Sequence, residues 1–187
     1  MELVCLTHHN VLANTKNGEI LFLTDPKDIT TLLKDHTKTQ VVISFAEVET
    51  DKSNREVLVC DWPGEYERNE TTILGLKPGC FLVSMEGRNW LCVSDSALEN
   101  LEKDIEQLSA VDGVMVWLTD PKNKTHIQKF LDHAEPTFLV YITDKTTIPL
   151  AQELVPPLAT APVSTLTVKP SELSAEAEHI TVHALQE

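Results

Sequence analysis

The chain reads as strands first and as alternating helix and strand later, and that order limits the available folds more than any other feature. Up to residue 93, apolar side chains recur with period two between turn signals, the pattern of half-buried strands. Residues 11–15 and 19–23 flank Asn17-Gly18, a pair that tolerates positive φ and so closes a tight hairpin. Further strands are predicted over 41–45, 56–61, 72–76, 80–85 and 90–93. One helix interrupts this run. Thr24-Asp25-Pro26 supplies a capping carboxylate and a proline suited to the first turn, and Ile29, Leu32 and Leu33 give an apolar stripe.

From Ser96 onward the two periods alternate. Ser96-Ala97-Leu98-Glu99 has the form of a capping box, with Leu98, Leu101, Ile105 and Leu108 on one helix face. A buried-type strand over 113–118 precedes a helix opened by Asp120-Pro121, with Ile127, Phe130 and Leu131 inward. A strand over 137–143, a short helix over 148–154 and strands over 165–168 and 179–185 complete the pattern. The stretch 155–162 carries three prolines and no charge, which suits an ordered crossing loop better than a linker. Two strand-rich halves that each carry helices fit an α/β (α+β) helix–sheet–sheet–helix sandwich. At 187 residues the chain is expected to be a single unit, 1–187, with a substantial core.

Composition narrows function mostly by exclusion. The formal charge is −14, from 29 acidic against 15 basic side chains, and no basic stripe offsets it. Such a surface repels phosphate backbones, which argues against nucleic acid and against anionic membranes. No apolar run approaches the roughly 20 residues of a spanning helix. The opening Met1-Glu2-Leu3-Val4-Cys5 lacks the basic region and cleavage site of a signal peptide, so a cytoplasmic location is expected. Asn69-Glu70-Thr71 and Asn123-Lys124-Thr125 match the glycosylation sequon, which has no meaning without secretion. Cys5, Cys60, Cys80 and Cys92 form no C-x-x-C pair. Cys5, Cys60 and Cys92 sit in apolar runs, where a thiol serves as a small buried hydrophobe.

The most specific local motif is Asp61-Trp62-Pro63-Gly64-Glu65-Tyr66-Glu67, followed by Ile73-Leu74-Gly75. Alone, it reads as a rigid Pro-Gly turn that throws two carboxylates beyond a strand end. It resembles the Pro-Gly-Glu-Tyr-Glu block of a bacterial branch of the metallo-β-lactamase-fold superfamily, zinc-dependent hydrolases related to the lactonase-like members. The resemblance extends over nearly the whole chain. Thr24-Asp25-Pro26 is similar to the close of the family's third strand, and His8 takes the place of a family histidine, with Thr7 for the preceding glycine. Val93-Ser94-Asp95 sits where the family has its Gly-Asp, which puts Asp95 at the metal-bridging aspartate. The resemblance implies a four-layer αββα sandwich.

The family's metal cage is another matter. Its His-x-His-x-Asp-His run corresponds to 45–50, where the four ligand positions read Phe45, Glu47, Glu49 and Thr50. The late strand that should end in a ligand histidine ends in Thr143. None of these ligand positions has an imidazole, and Asp95 alone matches the residue the family has there. The candidate site rim is therefore His8, Glu47, Glu49, Asp61, Glu65, Glu67 and Asp95.

Each of these has an ordinary structural role to set beside the functional one. His8 and His9 end the first strand and point to opposite faces, so they do not chelate one ion in regular geometry. Asp95 stands at a strand end, where it either caps a helix or projects into a site. Glu47, Glu49 and Asp51 would suit magnesium, calcium or manganese rather than zinc, or simply form a solvated loop. His126 and His133 lie about 10 Å apart on a helix. His179 and His183 lie about 13 Å apart on a strand. Both pairs read as surface histidines. No nucleophile elbow, phosphate-cradling loop or dinucleotide fingerprint is present.

A dinuclear hydrolase needs several converging ligands to hold its cations and generate hydroxide at neutral pH. The expectation is a degenerate metallo-β-lactamase-fold protein without cofactor or hydrolase activity, acting in binding or assembly with a protein partner or a second copy of itself. The alternative is a hydrolase of lactones, esters or phosphoesters, using zinc or manganese in a site rebuilt from His8, Asp61, Glu65, Glu67 and Asp95.

Overall fold

A computed structural model of the chain describes residues 1–49, 56–99, 101, 111–134, 136–173 and 181–186. Strands β1 (Glu2–Cys5), β2 (Val11–Thr15), β3 (Gly18–Leu23), β4 (Thr39–Ser44), β5 (Leu58–Cys60) and β12 (Thr165–Thr167) form one sheet, in the order β12-β1-β2-β3-β4-β5. Strands β6 (Gly64–Arg68), β7 (Thr71–Lys77), β8 (Cys80–Met85), β9 (Arg88–Ser94), β10 (Gly113–Trp117), β11 (Phe138–Thr143) and β13 (Thr181–Gln186) form the other, in the order β13-β11-β10-β9-β8-β7-β6. Both sheets are mixed. Strands β3, β4 and β5 run parallel, as do β9, β10, β11 and β13, while the remaining pairs are antiparallel.

Strand alternation builds the layers. Val41 and Ile43 enter the core between the sheets, where they join Phe81, Trp90 and Met115 from the facing sheet. Val42, one residue out of phase, packs outward against Ile29 and Leu32 of α1 (Ile29–Asp35). On the second sheet Trp90 and Cys92 point inward. Leu91 and Val93 point outward beneath Ile127 and Phe130 of α2 (Lys124–Ala134) and Leu150 of α3 (Ile148–Glu153). The result is the expected four-layer α/β sandwich.

Asp25 and Asp120 start their helices by the same device. Each carboxylate accepts an N–H two residues on, from Lys27 at 3.0 Å and Lys122 at 2.9 Å, and a proline follows each. A 3-10 turn intervenes in both cases, so the α-helices begin at Ile29 and Lys124. After β9 the described chain makes a 3-10 turn, Asp95–Ala97, in which the Ser94 and Ser96 hydroxyls lie 3.0 Å apart. Ile105 and Leu108 of the helix expected there lie outside the described residues, as do Thr50, Asp51 and His179. The 155–162 stretch is an ordered crossing, as expected. Ala159 and Val163 donate to the Val182 and Ala184 carbonyls of β13, covering that strand's free edge.

Two expectations about local structure are corrected. The first strand ends at Cys5, and His8 and His9 lie in the turn that follows rather than on opposite strand faces. Pro63-Gly64 is not the tip of a turn, because Gly64 already begins the edge strand β6. Gly75 of the same motif pairs with Gly64 across the ladder. A Cβ at position 75 would lie 2.5 Å from the Trp62 carbonyl oxygen, so a glycine there lets the chain cross from one sheet to the other.

Candidate functional site at the sandwich rim

Parallel strands send their C-terminal ends to one edge of the sandwich, the usual place for a site in such sheets. Phe45 follows β4 and Asp61 follows β5 in the first sheet. Asp95 follows β9, Thr119 lies just beyond β10 and Asp144 follows β11 in the second. The turn between β1 and β2 brings His8, His9 and Asn10 to the same edge.

Phe45 fills its position with packing. Its ring meets Trp117 edge-on, with centroids 4.5 Å apart, and lies 6.1 Å from Phe81. The contact joins the end of β4 to the second sheet. Asp95 is 1 % exposed, and its carboxylate faces the loop after β10. Oδ2 accepts the Thr119 N–H at 2.7 Å and the Asp120 N–H at 2.9 Å. Oδ1 accepts the Thr119 hydroxyl at 2.6 Å. Three of its roughly four acceptor sites are therefore taken. Thr143 is fully buried and donates its hydroxyl to the Leu185 carbonyl at 3.0 Å. Asp61, also buried, accepts the Val48 N–H at 3.0 Å and thereby fixes the chain after β4.

The glutamates do not join them. Glu47 and Glu49 are exposed and line an open hollow of about 480 Å³ with Asp25, Lys27 and Thr30 at the start of α1. Glu65 and Glu67 sit on β6, three strands from β9 and running away from the rim. Glu65 pairs with Leu74 and, beyond it, Leu82 on the outer face. Tyr66 pairs with Ile73 and Val83 on the core face, and its hydroxyl reaches the Trp62 carbonyl at 3.0 Å. Both carboxylates are exposed and accept no hydrogen bond from a described residue. Their expected place on the candidate rim is corrected, because strand alternation turns both to the outer face of β6.

Around His8 and His9, residues not singled out in the sequence (Asn10, Asp28, Trp117 and Asp144) do much of the work at this edge. His8 and His9 adopt left-handed φ of 58° and 59°, an uncommon conformation for a side chain with a Cβ. Fully buried Asn10 holds the turn by donating to the Thr7 carbonyl and Asp28 and accepting the Thr24 N–H at 3.0 Å. His8 Nδ1 lies 2.9 Å from Asp28, and this bond, opposed by burial and helped by Asn10, holds the Asp28 carboxyl below its usual value. His9 Nε2 lies 3.3 Å from Asp144. Burial pushes the Asp144 carboxyl up, but hydrogen bonds from Thr146 and Thr147 outweigh it and bring it to about 2. The fully buried Trp117 indole donates to the His9 carbonyl at 2.8 Å. The turn is thus tied to both sheets. Asp144-Lys145-Thr146-Thr147, an Asp followed by two hydroxyls, was the legible signal for part of this arrangement. Asn10 and the Trp117 bond had none.

The exposed His126 and His133 stand on α2, and His183 packs on Phe138 with burial lowering its affinity for a proton. All four cysteines are buried thiols, and burial, then the neighbouring Asp61, pushes the Cys60 thiol up to about 12. No helix among the described residues is long and apolar enough to cross a membrane.

Among the described residues, the donor set does not fit a divalent cation. Phe45 offers no donor, Thr143 is spent on a carbonyl, and Asp95 is spent on three donors of its own chain. Among the described residues, no three His, Cys, Asp or Glu side chains gather as a cation requires.

No family model matches the chain, and no curated protein does either. Solved structures do. A Thermotoga maritima protein assigned to the zinc-dependent hydrolases of the metallo-β-lactamase superfamily superposes with a TM-score of 0.62 at 14% identity, over 100% of both chains. Igni18, a metallo hydrolase from the archaeon Ignicoccus hospitalis, superposes with a TM-score of 0.59 at 10% identity, over 99% of this chain and 94% of its own. At such identities the likeness is one of fold, and the chain has the metallo-β-lactamase fold.

Proposed function

We propose that this is a metallo-β-lactamase-fold protein that has lost the dinuclear-zinc hydrolase activity and works, as one unit over 1–187, by binding or assembly with a protein partner. The observation that carries this reading is the Asp95 carboxylate, which accepts two backbone N–H groups and a hydroxyl from the loop after β10. A carboxylate so engaged must give up those bonds before it can bind a cation, and among the described residues no three His, Cys, Asp or Glu side chains gather to repay the loss. The Phe45–Trp117 contact supports the same reading, because it puts apolar packing where the family resemblance puts a ligand.

The finer placement, in the bacterial Pro-Gly-Glu-Tyr-Glu branch, rests on residues 61–67 and Gly75. Their role here is architectural: Gly75 accommodates the crossing chain and Tyr66 ties to Trp62. The rebuilt-site hydrolase gains no support, since Glu65 and Glu67 face away from Asp95 and Asp61.

The test is a screen of lactones, carboxylic esters and phosphoesters with zinc or manganese added. The expected result is no turnover above the protein-free blank. Metal-dependent turnover that a chelator removes and zinc restores would overturn the proposal. Sedimentation over a range of concentrations then separates self-assembly, seen as growth in mass, from a partner of another kind.

A further inference from the structure

A sheet edge is either covered, blunted or used, because its outer N–H and C=O groups are open to pairing. Ala159 and Val163 cover β13, and β5 and β12 are only three residues long. The five-residue β6 is the longest edge left. It turns into β7 through Asn69-Glu70, whose φ values of 47° and 62° make a two-residue hairpin turn of the primed kind. Arg68 and Thr71, which flank the turn, then exchange hydrogen bonds, as do Tyr66 with Ile73 and Gly64 with Gly75. Glu65 and Glu67 fall between these pairs, so their backbone N–H and C=O groups point away from β7. No described residue pairs with those groups.

The same two residues set the charge of this edge. Their carboxylates are exposed on the outer face and enter no ion pair among the described residues. Beside them an open hollow of about 450 Å³ runs over Leu74, Leu82 and Ser84, and no described Lys or Arg lines it. Arg68, the nearest cation in sequence, alternates to the other face of β6 and donates to the Glu56 carbonyl at 2.9 Å. Lys77 of β7 donates to the Glu99 carbonyl at 3.0 Å. The formal charge of −14 adds to the field of the two carboxylates. Trp62, which is 46 % exposed, stands just before the strand and offers an aromatic anchor at its start. A second copy of β6 is a poor occupant. Laid antiparallel about Tyr66, it would set Glu65 directly against Glu67, and like charges so placed repel.

We propose that β6 takes up an extended basic segment of a protein partner as a further strand of the second sheet, with Lys or Arg side chains two residues apart beside Glu65 and Glu67. Main-chain bonds to the outer groups of these two residues fix the register, and opposite charge across the strands selects the partner. This rests on the reading of the protein as one that works by binding, and it assigns the surface and the chemistry of what binds.

The test adds a seven-residue peptide of alternating lysine and valine to the isotope-labelled chain at low ionic strength. Amide resonances and amide exchange with water are followed together. Saturable shifts over residues 62–68 are expected, with the Glu65 and Glu67 amides exchanging about tenfold more slowly in the complex, as pairing into a ladder requires. Glu65→Lys with Glu67→Lys changes two exposed side chains and keeps the fold. It should weaken binding about tenfold or more, because two attractive cross-strand pairs become repulsive, and should admit a peptide of alternating glutamate and valine. A peptide with the same residues sorted into a lysine block and a valine block should bind more weakly to the parent. Absent or unsaturable shifts, unchanged exchange at Glu65 and Glu67, equal binding of the block peptide, or unchanged affinity in the double variant would overturn the proposal. None of these results bears on the loss of hydrolase activity, which the turnover screen decides separately.

Discussion

Phe45 and Asp95 stand at strand ends on the two sheets, at positions that the family resemblance gives to metal ligation, and they have met opposite fates. Phe45 offers no donor atom and joins a core contact between the sheets. Asp95 has a carboxylate and puts it to structural use, as the acceptor for the loop after β10. The difference teaches that a retained ligand type is weak evidence of a retained site. What decides is whether the oxygens are free to face a cation or already satisfied by the chain's own donors.

The largest effect should come from Asp95→Ala. It would leave two N–H groups and a hydroxyl without their acceptor, at a cost of roughly 3–5 kcal/mol. For a chain of this length that is a fall in melting temperature on the order of 10 °C. A carboxylate held in reserve for a metal behaves otherwise. Its removal from metal-free protein relieves charge and leaves stability level or higher, so the sign of the change breaks or upholds the comparison.

Phe45→His restores an imidazole to the first ligand position and tests the other half. The loss of ring packing against Trp117 should cost about 1–3 kcal/mol in urea unfolding, without any gain in zinc affinity, because Asp95 and Thr143 stay engaged.

A smaller effect is expected at Asp144. Its folded carboxyl, at about 2, lies below the ordinary 3.8, so the stability it lends is present above the ordinary value and is lost as pH falls from there through about 2. Allowing for solvent at its partly exposed side chain, this amounts to about 1 kcal/mol. Denaturant midpoints measured between pH 5 and pH 2 should fall less steeply in Asp144→Asn than in the parent. An identical slope would remove Asp144 from the account.

The smallest effect belongs to Glu65→Gln and Glu67→Gln, which should change stability by less than about 0.5 kcal/mol, since both side chains are exposed on the outer face of an edge strand. A larger loss in thermal melts would show that they hold something the fold does not reveal.

The layers were legible because periodicity is a local property. Val41, Val42 and Ile43 announce a strand buried on both faces, and Asp25-Pro26 and Asp120-Pro121 announce helix starts within a few residues. The candidate rim was legible only in part. Asp61 and Asp95 could be placed at strand ends, but the partners that absorb them, Val48 and Thr119, come from segments 13 and 24 residues away and leave no local signature. Glu65 and Glu67 were drawn to the rim by the motif around them. Strand alternation, which puts Tyr66 inward, necessarily puts them outward. The left-handed His8 and His9 were beyond reach, because Asn10, Thr24 and Trp117 impose that conformation through contacts distant in sequence.

The most direct test of the central claim is calorimetric titration of metal-stripped protein with zinc and with manganese, read together with the melting temperature. The account predicts no saturable heat and no rise in melting temperature with either ion. Stoichiometric binding that raises the melting temperature and disappears in Asp95→Ala would contradict it.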